Sequence, residues 1–265
     1  MGEVTNTMTE LRRAGKKALV PFITAGFPTR GSFRQLLAEV SRIADVVEIG
    51  VPFSDPLADG PVIQHTSQMA LEQGVNLPWI LETMADCCQQ MAAPLVLMSY
   101  LNPLLRLTTE DALQAAHRAG VAGMIVPDLP VEEGREFEKL AGDREIDLIY
   151  LIAPTTGDAR ARMIAERSQG FIYLVSITGL TGARDEFPQE TFGFLKRVRA
   201  LTDKPLCLGF GISRPEQVRQ IAPHVDGVIV GSSLLRVIMK NPSDPINAAK
   251  GFLLQFKQAL EEVES

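Results

Sequence analysis

Short apolar runs alternate with longer amphipathic ones along almost the whole chain, and the alternation repeats eight times. The short runs are Ala18–Thr24, Val46–Gly50, Pro94–Ser99, Gly123–Val126, Asp147–Ile152, Phe171–Ser176, Pro205–Leu208 and Gly227–Val230. Helical patterns lie between and after them at Ser32–Ile43, Leu77–Met91, Glu110–Ala119, Glu132–Ala141, Asp158–Glu166, Gln189–Ala200, Pro215–Ile221 and Pro245–Glu262. The short runs are apolar nearly throughout, as expected of parallel strands covered on both faces by helices. Eight such units in 265 residues predict an α/β chain closed into a (β/α)8 TIM barrel, with residues 1–265 as a single domain. The competing architecture is an open doubly wound sheet. Its dinucleotide fingerprint is missing, because Gly209-Phe210-Gly211 begins like it and then lacks the third glycine.

Two additions to the plain barrel are expected. Residues 1–15 read as an extra N-terminal helix covering the bottom. Strand 2 is followed by two helical stretches, Val62–Glu72 and Leu77–Met91, rather than one. Ser32, Thr109, Asp158 and Ser213 precede helical pattern and are the expected N-caps.

Charge and composition narrow the function classes. The net charge is -6, and no Lys/Arg run is long enough to track a nucleic-acid backbone. A small-molecule ligand or a protein partner is expected instead. Cys87, Cys88 and Cys207 form an odd set without framework spacing, which fits a reducing compartment. His65, His117 and His224 lack metal-ligand spacing, so no metal is expected. No apolar run is long enough to span a membrane, and the N-terminus has no apolar signal core. Met1-Gly2 resembles a myristoylation start, but position 6 is Asn6. The chain is expected to be cytoplasmic, or plastidic if a transit peptide has been removed.

In such a barrel chemistry gathers where strands end and βα loops begin. The second strand and its loop carry Glu48, Asp55 and Asp59. Period-2 alternation puts Glu48 and Val46 on one face. If that face is the interior, the Glu48 carboxyl reaches the pocket rim with a raised pKa, ready to donate and accept protons near neutrality. The alternative is a buried structural Glu tied to a cation or a backbone N–H. Pro52, Pro56 and Pro61 stiffen the following loop, which could then aim Asp55 and Asp59. Each Asp could equally be a turn former bonding its own backbone.

Three glycine-bearing loops follow strands 6, 7 and 8: Thr178–Gly182, Gly209–Ser213 and Gly231-Ser232-Ser233. Backbone N–H groups at such loops, with a short helix opening at Gly231-Ser232, suit a phosphate. Ordinary βα turns use the same residues. The stretch from Ile177 to about Gln189 exceeds the usual length of this connection and reads as a lid, or else as a surface loop without a role. Phe22, Tyr100, Tyr173 and Phe210 lie in or after strands 1, 3, 6 and 7, where they could wall a flat ring or simply pack the barrel.

The run Glu-Ile-Gly-Val-Pro-Phe-Ser-Asp-Pro-Leu-Ala-Asp-Gly-Pro from Glu48 to Pro61 is similar to the signature of the tryptophan synthase α subunit family. The likeness continues through Pro21-Phe22, Tyr100, Tyr173, Gly-Leu-Thr-Gly (179–182), Gly-Phe-Gly-Ile (209–212) and Gly-Ser-Ser (231–233). The resemblance implies a lyase that cuts indole-3-glycerol phosphate to indole and glyceraldehyde 3-phosphate. By position, Glu48 matches the general acid/base and Asp59 its carboxylate partner. Gly182, Gly211, Gly231 and Ser232 match phosphate binders, and Phe22, Tyr100, Tyr173 and Phe210 the pocket wall. Thr181 matches the lid residue that closes towards the catalytic Asp, and Asp55 is expected to face a partner. The resemblance also implies a β subunit, in an α-β-β-α complex, that carries pyridoxal phosphate; no cofactor is expected in this chain. Some members have Arg after the Ser that ends strand 6, whereas here Ile177 follows Ser176. A stand-alone lyase would share every motif. A non-catalytic activating subunit would need neither Glu48 nor the glycine loops.

Overall fold

A computed structural model describes residues 2–57, 59–176, 187–209 and 211–264. Its strands are β1 (Ala18–Thr24), β2 (Val47–Gly50), β3 (Leu95–Met98), β4 (Val121–Ile125), β5 in two pieces (Asp147–Ile149 and Leu151–Ile152), β6 (Ile172–Val175), β7 (Leu206–Gly209) and β8 (Gly227–Val230). All pairings are parallel. The order runs β5-β4-β3-β2-β1-β8-β7-β6-β5, so the sheet closes on itself through the fifth strand. The first piece of β5 pairs with β4 and the second with β6. Tyr150 divides them, and its carbonyl accepts from the Tyr173 N–H at 3.0 Å. The expected barrel is therefore present, and β1 and β8 begin and end where the apolar pattern placed them.

Registered neighbours slide from the mouth to the bottom because the strands tilt. Phe22, near the end of β1, is level with Glu48; Glu48 is level with Val96, Val96 with Gly123, and Gly123 with Asp147 at the start of β5. These alternate positions form the inner face. The intervening residues, such as Ile23, Ile49 and Leu97, are wholly buried under the helices outside.

The helices are α1 (Glu3–Arg13), α2 (Arg30–Ser41), α3 (Pro61–Glu72), α4 (Leu77–Ala85), α5 (Leu101–Leu105), α6 (Thr109–Arg118), α7 (Arg135–Gly142), α8 (Asp158–Arg167), α9 (Gln189–Arg199), α10 (Pro215–Ile221), α11 (Ser232–Lys240) and α12 (Pro245–Glu264). The expected helix Leu77–Met91 stops earlier as α4 and resumes as a 3-10 turn at Cys88–Gln90. The expected caps also move. Thr29, not Ser32, caps α2, and Thr108, not Thr109, caps α6. Gly157 and Arg214 occupy the cap positions of α8 and α10. An N-cap must stand outside the helix in extended backbone to receive an N–H of the first turn. Ser32 and Thr109 are already inside, and Ser32 donates its N–H to Thr29 Oγ1 at 3.2 Å.

The bottom of the barrel is closed by α1. Val4 is fully buried there, and the Thr5 N–H donates to Asp147 Oδ2 at 2.8 Å. Burial raises the Asp147 pKa, and the hydrogen bonds from Thr5 pull it back. Two further carboxylates hold strand starts. Asp45 accepts the Leu19 N–H at 2.8 Å and pairs with Lys257 of α12 at 2.7 Å. Asp226 accepts the Leu206 N–H at 2.8 Å and pairs with Arg199 of α9. Charge at this pole serves cohesion, which leaves the opposite, carboxyl-terminal pole for chemistry.

Candidate active site

Glu48 projects from β2 into the barrel and is wholly buried. Neither of its carboxylate oxygens has a hydrogen-bond partner among the described residues. Among the described residues no cation or N–H ties Glu48 down as a structural Glu would be. Its pKa is pushed up to about 8, first by burial and then by the negative charge of Asp59. An unpaired carboxyl in a dry site avoids the cost of charge by holding its proton.

Asp59 stands where the proline-bearing loop enters α3. Gly60 is the N-cap of that helix and Pro61 its first residue, a position where a missing N–H costs nothing. Gln64 Nε2 donates to the Asp59 carbonyl at 2.8 Å and holds the backbone. Burial raises the Asp59 pKa, while a hydrogen bond from the Tyr100 hydroxyl lowers it again. Tyr100 immediately precedes α5, and its ring packs on Phe53 with centroids 5.3 Å apart. Phe22, Asp59 and Tyr100 line one small pocket, together with Ile63, Ser67 and Met98. Those last three escaped the sequence reading. Met98 obeys the strand-end rule that singled out Tyr100, and Ile63 and Ser67 lie four apart on the face of α3 behind Asp59.

Tyr173 on β6 is level with Cys207 on β7, and its side chain turns into the same mouth. Its hydroxyl is held well above the ordinary pKa by burial and then by the charges of Glu48 and Asp59. Two glycines make space for the aromatics. A Cβ on Gly50 would overlap the tip of the Phe22 ring, and one on Gly209 would overlap the Tyr173 hydroxyl and ring.

On the far side, Gly211 has φ +84, a backbone conformation that suits glycine. The next residue, Ile212, accepts a hydrogen bond from Ser233 Oγ at 2.9 Å, which ties this loop to the first turn of α11. That helix starts at Ser232 with Gly231 as its N-cap and no side-chain cap hydrogen bond. Gly211, Gly231 and Ser232 are thus brought to one place at a helix N-terminus. Thr181, Gly182, Phe210 and the expected lid, apart from residues 187–189, lie outside the described residues. Asp55 is exposed, accepting from Ser54 Oγ at 2.5 Å, and Leu57 beside it is 88% exposed. No helix among the described residues is long and apolar enough to cross a membrane.

Comparison with known proteins places the chain in a family. The family model described as tryptophan synthase alpha chain matches residues 8–264. The tryptophan synthase alpha chain of Carboxydothermus hydrogenoformans is 46% identical over 90% of this chain and 90% of its own length. The crystal structure of tryptophan synthase subunit alpha from Legionella pneumophila superposes with a TM-score of 0.91 at 33% identity, covering 99% of each chain. A chain of Mycobacterium tuberculosis tryptophan synthase superposes with a TM-score of 0.89 at 28% identity, covering 98% of each.

Proposed function

The chain belongs to the tryptophan synthase alpha chain family, and from that premise we propose that Glu48 and Asp59 carry out its carbon–carbon cleavage. The family reaction is the retro-aldol cleavage of indole-3-glycerol phosphate into indole and glyceraldehyde 3-phosphate, a step of tryptophan biosynthesis, and this chain is a lyase of that kind. The observation that carries the assignment is the buried, unpartnered Glu48 with its pKa near 8.

At neutral pH Glu48 is protonated and donates its proton to indole C3. The positive charge that develops spreads to the ring nitrogen, where the Asp59 carboxylate stabilises it. Glu48, now a carboxylate, removes the proton from the hydroxyl on the carbon attached to C3. That carbon becomes the aldehyde, the bond to C3 breaks, and its electron pair restores the indole ring. Glu48 ends with a proton again, ready for the next turnover. Phe22, Tyr100 and Tyr173 wall the ring, with Phe210 as a further wall residue. Gly211, Gly231 and Ser232, joined by Gly182, hold the phosphate at the start of α11, where N–H groups and the helix dipole favour an anion. Thr181 closes the lid towards Asp59.

The acid–base groups this cleavage uses all come from this chain. Pyridoxal phosphate belongs to a β subunit that takes up the indole. Asp55 and the exposed Leu57 present the loop after β2 to that partner. The direct test is Glu48→Gln, which keeps the shape of the side chain and removes its ionisable proton. Indole release should all but vanish while circular dichroism stays unchanged. Retention of a tenth or more of the wild-type rate would take Glu48 out of the mechanism.

A further inference from the structure

We propose that Asp128 is a positioning residue for the cleavage, holding Tyr100 from the neighbouring strand-end loop so that the Tyr100 hydroxyl stays on Asp59. This rests on the reading of Asp59 as the second carboxylate of the site.

Tyr100 occupies the N-cap position of α5, yet its own side chain caps nothing there. The cap comes from elsewhere in the barrel: the Leu101 N–H donates to Asp128 Oδ1 at 2.8 Å. Asp128 lies in the loop after β4, between Pro127 and Pro130, in a turn closed by the Leu129 N–H on the Val126 carbonyl at 3.1 Å. The two prolines restrict this turn, so the carboxylate is presented from a stiff base.

The α5 segment has five residues, too few to hold a helix by its own hydrogen bonds. Its orientation therefore depends on what grips its start. Tyr100 is gripped at two ends by two different carboxylates: Asp128 holds the N–H of the next residue, and the phenol reaches Asp59. The Phe53 ring fixes the plane between them. A phenol–carboxylate hydrogen bond is strong only within a narrow range of distance and angle. Releasing α5 thus releases the donor from Asp59, although Asp128 itself is solvent-exposed and outside the cavity lining.

The test compares Asp128→Ala, Asp128→Asn, Tyr100→Phe and the Asp128→Ala/Tyr100→Phe double variant by steady-state indole release across pH. Asp128→Ala should lower kcat about tenfold with KM changed less than about threefold. It should also move the acid limb of the kcat profile to higher pH, because the Tyr100 bond is what lowers the Asp59 pKa. Tyr100→Phe should move the limb equally, and the double variant no further. Asp128→Asn keeps an oxygen that can accept the Leu101 N–H and should remain within about twofold of wild type. Should the alanine variant not fold, Asp128→Glu, which displaces the carboxylate by one methylene, is read the same way. An unmoved acid limb, or fully additive effects in the double variant, would overturn the positioning role. An Asp59→Asn control separates the two readings. If it is fully active, the assignment of Asp59 fails and this proposal with it; if it is inactive while the limb stays put in Asp128→Ala, only this proposal fails.

Discussion

Gly209, the last residue of β7, leaves the space that the Tyr173 hydroxyl and ring edge occupy, since a Cβ at that position would overlap both. The glycine sits in the run Gly209–Ser213 that the sequence associates with phosphate. Its structural service is to a neighbouring aromatic instead. Gly209 is not among the glycines with positive φ, so alanine there strains no backbone, and the whole effect passes through Tyr173. Gly209→Ala should lower kcat roughly ten- to hundredfold, since the displaced ring borders both carboxylates. A crystal structure of the variant should show the ring moved. A kcat within twofold of wild type would mean that the placement of Tyr173 is unimportant.

The pH dependence of kcat/KM should be bell-shaped. Glu48 starts the reaction protonated, so activity falls as pH rises through its pKa of about 8. Asp59 starts as a carboxylate, and its raised pKa puts the acid limb above the usual carboxylate range. A profile that stays flat through pH 8 to 9 would contradict the protonated starting state of Glu48.

Stability should carry the same signature. Folded Glu48 keeps its proton up to about pH 8, whereas in the unfolded chain it loses it near 4.5. Between those values the folded state binds the extra proton, so stability declines as pH rises through this window. Glu48→Gln removes the decline. The variant should match wild type below about pH 4.5 and exceed it by about 3 kcal/mol at pH 7 in urea unfolding. The residue that makes the enzyme work would then be one that weakens its fold. Parallel stability–pH curves for the two proteins would show that the folded-state carboxyl titrates normally.

Why Glu48 could be read from sequence and Asp128 could not is a matter of range. An acidic residue inside a short apolar strand is a local anomaly, and in a barrel the strand's end gives it an address. The link from Asp128 to the Leu101 N–H, next to Tyr100, spans 27 positions and uses a backbone group, which leaves no mark on composition or periodicity. The short helix α5 was missed for a related reason: Asn102-Pro103 reads as a loop, and the force that shapes it comes from another strand's loop. The break of β5 at Tyr150 was also hidden. Its side chain turns outward to Glu138, bonding Oε1 at 2.7 Å, in a pattern as apolar as any continuous strand. The caps failed by one to three residues because several adjacent Ser, Thr and Asp residues compete and only backbone geometry selects among them.

The phosphate cradle is best tested at Ser232. Gly211→Asp would suffer from positive φ, and a Cβ on Gly231 would lie 3.2 Å from Phe22 Cβ, so either change mixes strain with repulsion. Ser232 opens α11 and is only partly buried. Ser232→Asp places a negative charge where the substrate phosphate is expected, at little steric cost. KM for indole-3-glycerol phosphate should rise about tenfold or more, with the thermal midpoint nearly unchanged. An unchanged KM would move the phosphate away from this helix.

The proposed role of the loop after β2 is to join catalysis to a partner. At one end it carries Asp59, half-buried and hydrogen-bonded by Tyr100; at its crest it carries exposed Asp55 and Leu57. Among the described residues Leu57, at 88%, is the most exposed large apolar side chain, and Asp55 lies two positions away, a pairing suited to an interface with an apolar centre and a charged rim. A β subunit seated on the crest would restrict a loop whose other end is the second carboxylate. By linkage, a partner that favours the substrate-bound arrangement of the loop tightens substrate, and bound substrate tightens the partner by the same free energy, typically about 1–3 kcal/mol; faster cleavage is a separate expectation. Leu57→Ser should therefore weaken β-subunit binding, and Asp55→Ala should reduce the stimulation of indole release by saturating β subunit more than it reduces the basal rate. Calorimetric titration of the two subunits, with and without a substrate analogue, measures the coupling directly. Equal rates of indole release with and without saturating β subunit would make the chain a stand-alone lyase and leave the exposed crest without this role.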